Sequence, residues 1–100
     1  MTDLQKTRAA VDEIDREIAE LFEKRMRLTE DIAEYKLEHG MRVVDPEREE
    51  EMYRELRSMA STEFNAIGIQ EVLKHIISLF VLERHEELRR DAPGKGDDAE

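Results

Sequence analysis

Apolar residues return at steps of three and four along the first third of the chain: Leu4, Val11, Ile14, Ile18, Leu21, Leu28 and Ile32. That is the period of one helix face turned toward a core. No Pro or Gly intervenes before Gly40, so the pattern predicts one unbroken helix over residues 4–38, with Thr2 or Asp3 as its cap. At about 1.5 Å per residue such a rod is ~50 Å long. A compact domain of this length has a radius of gyration of only about 13 Å. The rod overruns its own subunit, and a second copy lying alongside would cover the surplus.

Gly40 suits the left-handed position just past a helix end, and 41–44 reads as a short extended connection without a partner strand. Asp45, Pro46 and Glu47 then spell a helix start: an N-cap, a proline at the first helical position and an acid in the first turn. This second helix is predicted to run to about Ala60, with an inner stripe of Arg48, Met52, Leu56 and Met59 and with Glu49 and Tyr53 adjoining. A turn over 61–65 precedes a third helix predicted over 66–90. Ile69, Val72, Leu73, Ile76, Ile77 and 79–82 cover most of its circumference, as in a helix at the middle of a bundle or at a subunit interface. Residues 91–100 lack apolar periodicity and read as a disordered polar tail. The domain is therefore expected at 1–90, all-α and three-helical.

Composition narrows the function. The chain is 42% charged and 5% aromatic, which with helical periodicity fits an all-α protein. It has no Cys, hence neither disulfides nor thiolate metal sites. His39, His75 and His85 lack metal-ligand spacing, so neither metal nor cofactor is expected. The N-terminus lacks the apolar segment of a signal peptide, and the longest continuous apolar run, 79–82, is far too short to span a bilayer. A cytoplasmic protein with no membrane partner is expected. The net charge of −10 argues against nucleic acid. It also means that any anion site must be a local, enclosed cluster of cations.

Such a cluster is written into the apolar stripes. Arg8, Arg25 and Lys36 occupy stripe positions of the first helix, and Lys36 lies within about 20° of Arg25 three turns on. Arg8 stands about 100° from Arg25, at the edge of the same face. Cations aimed at a core are costly unless an anion meets them, whether from the protein or from a ligand. Asp12 and Asp15 are expected to face water or pair with helix neighbours.

The core-facing charges Arg8, Arg25, Lys36, Asp45, Arg48 and Glu49, with the stretches around Arg8 to Asp15 and Asp45 to Glu49, resemble the all-helical class of chorismate mutases. The likeness covers roughly residues 4–60, with the spacing unbroken. It implies an intertwined homodimer of three-helix subunits, with a small dianionic substrate, chorismate, in two sites that share the long first helix. It also implies roles. Arg8 would cross to the partner's site, and Arg25 and Lys36 would act in their own subunit. Lys36 would donate to the ether oxygen and a carboxylate. Glu49 and the group near Asp45 would take the ring hydroxyl, and Arg48 would order the cluster.

The third helix departs from that pattern. The family carries a small polar residue and, four positions later, Gln for a second bond to the ether oxygen. Aligning Ile76 and Ile77 with the family's apolar pair puts Phe80 and Arg84 at those places, whereas a one-residue slip would present Leu79 and Glu83. Arg84 is the preferred reading, because an arginine donates without changing protonation. Two alternatives stay open: a related helical enzyme acting on isochorismate (as a pyruvate lyase) or aminodeoxychorismate, and a non-catalytic helical dimerisation or regulatory module whose charges only fix register.

Overall fold

The computed structural model describes the chain from residue 2 to residue 91, and its side chains to residue 84. Three α-helices follow in order: α1 (Asp3–Glu38), α2 (Pro46–Arg57) and α3 (Glu63–Asp91). No strand occurs among the described residues, and 41–44 is an irregular connection, as its isolation in the sequence requires. The chain divides into two compact units, Met1–Val44 and Asp45–Glu100.

In the first unit, α1 runs 36 residues without a break. Thr2 and Gln5 form a capping box: the Gln5 amide donates to Thr2 Oγ1 and the Thr2 amide to Gln5 Oε1, both at 3.1 Å. The helix ends on His39, and Gly40 follows at φ 66°. The predicted stripe is present but uncovered. Leu4, Val11, Ile14, Ile18, Leu21, Leu28 and Ile32 are between 49% and 63% exposed. Phe22, Arg25, Met26, Thr29, Ala33 and Lys36 are more enclosed, with Glu30 beside them, and they trace a face displaced around the helix from that stripe.

In the second unit, Asp45 caps α2 by accepting from the Arg48 amide at 3.2 Å. The helix stops at Arg57 rather than near Ala60, where the Ser58 hydroxyl turns back onto the Glu55 carbonyl at 2.6 Å. α3 starts three residues earlier than the apolar pattern predicts. Thr62 is its cap, its hydroxyl accepting from the Asn65 amide at 3.0 Å. Asp91, placed in the tail by sequence, is the last residue of α3, and the expected disorder of 92–100 lies outside the described residues.

α3 packs on α2, and its enclosed positions, Ala66, Ile69, Gln70, Leu73, Ile76, Ile77, Phe80 and Arg84, form an i, i+3, i+4 series along one face. Arg57 binds Gln70 across the turn and lies 3.7 Å from Glu50, closing a polar clasp over the α2–α3 contact. The opposite side of α3 is also apolar: Phe64 is 82% exposed, and Val72, Leu79 and Leu82 stand out with it. Over Glu63–Arg84 the helix is long and apolar enough to cross a membrane by length and composition, with a mean hydropathy of 1.3. The uninterrupted run at 79–82 understates this, because Ser78 and the isolated charges Glu71 and Lys74 divide a longer apolar segment.

Candidate functional site

α1 carries three of the residues that the sequence singles out, Arg8, Arg25 and Lys36. It is a single rod, so Arg25 and Lys36 stand about 17 Å apart along it and within ~20° of each other around it. Their environment differs from that of the helix's other cations. Lys6, Arg8, Arg16, Lys24 and Arg27 are exposed, whereas Arg25 and Lys36 are half-buried. Arg16 is occupied by Glu13 at 2.8 Å, an exposed pair of little energetic weight. Arg8 is about 25 Å from Arg25 along the axis, more than two arginine side chains and a small dicarboxylate can bridge. Arg8 is therefore out of reach of a small anion held at Arg25 and Lys36 of the same copy of α1.

The Lys36 ammonium donates to the Val43 carbonyl at 3.4 Å. Sequence spacing does not show this contact, which depends on the chain reversing at Gly40. Lys36 also lies in the last turn of α1, where the negative end of the helix dipole favours a cation.

The second unit carries the other residues that the sequence singles out. Asp45 is exposed, and its described role is the α2 cap. Glu49 is half-buried on the side of α2 that also holds Met52, Tyr53, Leu56 and Arg57. Arg48 and Met59, expected on the inner stripe, are not there. Arg48 keeps its side chain 73% exposed, 3.9 Å from Glu51, and Met59 is exposed. The enclosed face of α2 runs through 49, 52, 53 and 56, so Arg48 falls about 100° away from it, and Met59 lies beyond the helix end.

Phe80 is buried at 8% exposure, one of three buried side chains with Ala33 and Tyr53 among the described residues. It is a packed residue of the α3 inner face, four positions from Arg84. Arg84 is half-buried on that face and Glu83 is exposed. The two registers left open by the sequence thus differ in environment, and the arginine is the enclosed one.

An open apolar groove lies elsewhere, at the α2–α3 turn, lined by Met59, Phe64, Gly68 and Val72 among others. Its α3 residues lie about 17 to 30 Å along the helix from Arg84, and it holds no charged side chain to orient a carboxylate. Among the described residues no group of three or more His, Cys, Asp or Glu is disposed to hold a metal ion.

Comparison with known proteins places the chain in a family. A family model described as chorismate mutase type II matches residues 7–85. A chorismate mutase of Methanocaldococcus jannaschii is 39% identical over 56 residues, 56% of this chain and 57% of that protein. A bifunctional chorismate mutase/prephenate dehydratase of Aquifex aeolicus is 32% identical over 76 residues, 76% of this chain but 21% of that protein. The chain thus spans a minor part of the bifunctional relative and little over half of the other. The solved structure of chorismate mutase (Form II) from Thermus thermophilus superimposes with a TM-score of 0.73 at 32% identity, covering 80% of this chain and 91% of that one.

Proposed function

The chain belongs to the chorismate mutase type II family, and from that premise we propose that it converts chorismate to prephenate. The reaction is a concerted rearrangement in which a C–O bond breaks as a C–C bond forms. It calls for no nucleophile and no proton transfer. The enzyme's task is to hold the compact conformer of a dicarboxylate and to stabilise charge developing on the ether oxygen.

The observation that carries this reading is the distinct state of Arg25 and Lys36. They are the enclosed cations on a helix whose other cations are exposed, and they are held in angular register. In the proposed roles Arg25 grips a carboxylate through its planar fork. Lys36 donates to the ether oxygen and a carboxylate. Glu49 accepts the ring hydroxyl, with Asp45 nearby in sequence, and Arg84 supplies the second donor to the ether oxygen. Arg48 contributes charge from the rim, and Phe80 shapes the wall by its packing.

Arg8 serves the site of a second copy. Its separation from Arg25 along one rod supports this, and so do the two uncovered apolar faces, on α1 and on α3, that an intertwined homodimer would bury. We take α3 as a subunit-contact helix and not a membrane span, in a cytoplasmic enzyme. Glu71 and Lys74 sit near the middle of Glu63–Arg84, and a lysine at a bilayer centre costs about 3 kcal/mol by itself.

The test follows chorismate loss with the purified chain and identifies the product. Prephenate is expected. Pyruvate released from isochorismate in a parallel assay, with no prephenate from chorismate, would assign the chain to lyase chemistry on a neighbouring substrate, and absence of turnover of either with a folded dimer would leave a non-catalytic module.

A further inference from the structure

The last turn of α1 does more than end a helix. The Met41 amide donates to the Lys36 carbonyl at 2.7 Å and the Gly40 amide to the Leu37 carbonyl at 3.3 Å, the paired bonds of a Schellman motif. That motif needs the left-handed backbone that Gly40 adopts at φ 66°. The reversal carries the connection back so that the Val43 carbonyl meets the Lys36 ammonium at 3.4 Å. Lys36 is therefore tied twice to the same turn, by its backbone carbonyl and by its side chain. His39 fastens that turn from the other side. Its amide donates to the Tyr35 carbonyl at 3.1 Å, its Nδ1 lies 2.8 Å from the same oxygen, and its ring stacks on Tyr35 at 4.0 Å.

We propose that Gly40 is a positioning residue for Lys36. The turn it permits places the Val43 carbonyl where it occupies one of the three ammonium donors and leaves two for substrate, so the lysine is oriented before chorismate arrives. The inference rests on the proposed role of Lys36 as donor to the ether oxygen. It adds a cause for that lysine's orientation which lies in backbone conformation and not in a neighbouring acid.

The structure separates backbone effects from crowding at this position. A Cβ added at Gly40 meets nothing within 4 Å, so the strain of adding one comes from φ and not from crowding. Gly40→Val puts a β-branched residue into a region it avoids, whereas Gly40→Asn puts in one that adopts it. With activity expressed per folded protein, kcat of Gly40→Val is expected to fall about ten- to a hundred-fold with a smaller change in KM. Gly40→Asn should stay within about two-fold of the parent. If Gly40→Val does not fold, Gly40→Ala takes its place, with a loss in the same direction.

An unchanged kcat in Gly40→Val, or a loss in Gly40→Asn as large as in Gly40→Val, overturns the proposal. Lys36→Gln, measured alongside, tells the two levels apart. If Lys36→Gln turns over like the parent, the functional reading fails and this inference with it. If Lys36→Gln is inactive while Gly40→Val is normal, only the positioning role falls.

Discussion

Arg84 shows how much one residue's environment can settle that its neighbours in sequence cannot. Arg84 and Glu83 are adjacent and both polar, and the apolar residues before them cover so much of α3 that the sequence admits either as the inward one. The packed series 66, 69, 73, 76, 77 and 80 fixes the phase, and Arg84 continues it while Glu83 points away. If Arg84 gives the second bond to the ether oxygen, Arg84→Ala should lower kcat by about 10²- to 10³-fold, the usual cost of one donor to a developing oxyanion. Arg84→Gln keeps an uncharged N–H donor on a side chain two atoms shorter and should recover part of the loss. Glu83→Gln should change little. Steady-state kinetics on the three variants checks this, and a large effect at 83 with none at 84 would reverse the register. Arg48 gives the opposite lesson, since α2 has few apolar residues and its pattern alone leaves the phase open by one position. The helix resolves the phase in favour of Glu49.

At the scale of elements, legibility depends on how strongly each helix is punctuated. α1 is readable nearly end to end because its period persists to Ile32 and both of its ends carry capping residues. The start of α2 is equally plain in Asp45 and Pro46. The start of α3 is obscured because 61–65 reads as a polar turn, although Thr62 with an acceptor-seeking Asn65 amide three residues on is a cap signal. The Arg57–Gln70 clasp is not legible at all, being a contact across thirteen positions that only the packing of α2 on α3 creates. Asp45 makes the distinction between element and site testable. Its carboxylate caps α2 at 3.2 Å, and removing such a cap costs about 1 kcal/mol, so Asp45→Ala should lower the denaturation midpoint while Asp45→Ser restores it. Activity then decides its second role. If Asp45→Ser regains stability and full turnover, Asp45 is a cap and no more. If stability returns without turnover, its carboxylate also serves the substrate.

For the whole molecule the decisive fact is geometric: a helix is a ruler. Seventeen residues of α1 hold Arg8 about 25 Å from Arg25, and no side-chain motion closes that gap. The same rod leaves its apolar stripe roughly half exposed over its full length, too much for a stable single chain with three buried side chains among the described residues. Both facts are met at once if two copies pair and each lends Arg8 to the other. Arg8→Ala and Arg25→Ala homodimers should then each lose several orders of magnitude in rate while remaining folded. A heterodimer of one copy of each has one site lacking both arginines and one site lacking neither. Random reassortment of equal amounts makes half of the dimers mixed, so roughly a quarter of the parent activity should return after the two are unfolded together and refolded. Separately refolded variants, combined without exchange, provide the baseline. If the co-refolded mixture stays at that baseline while native mass spectrometry shows the mixed dimer, Arg8 does not work across the interface. The exposed stripe of α1 would then need another reason to carry it.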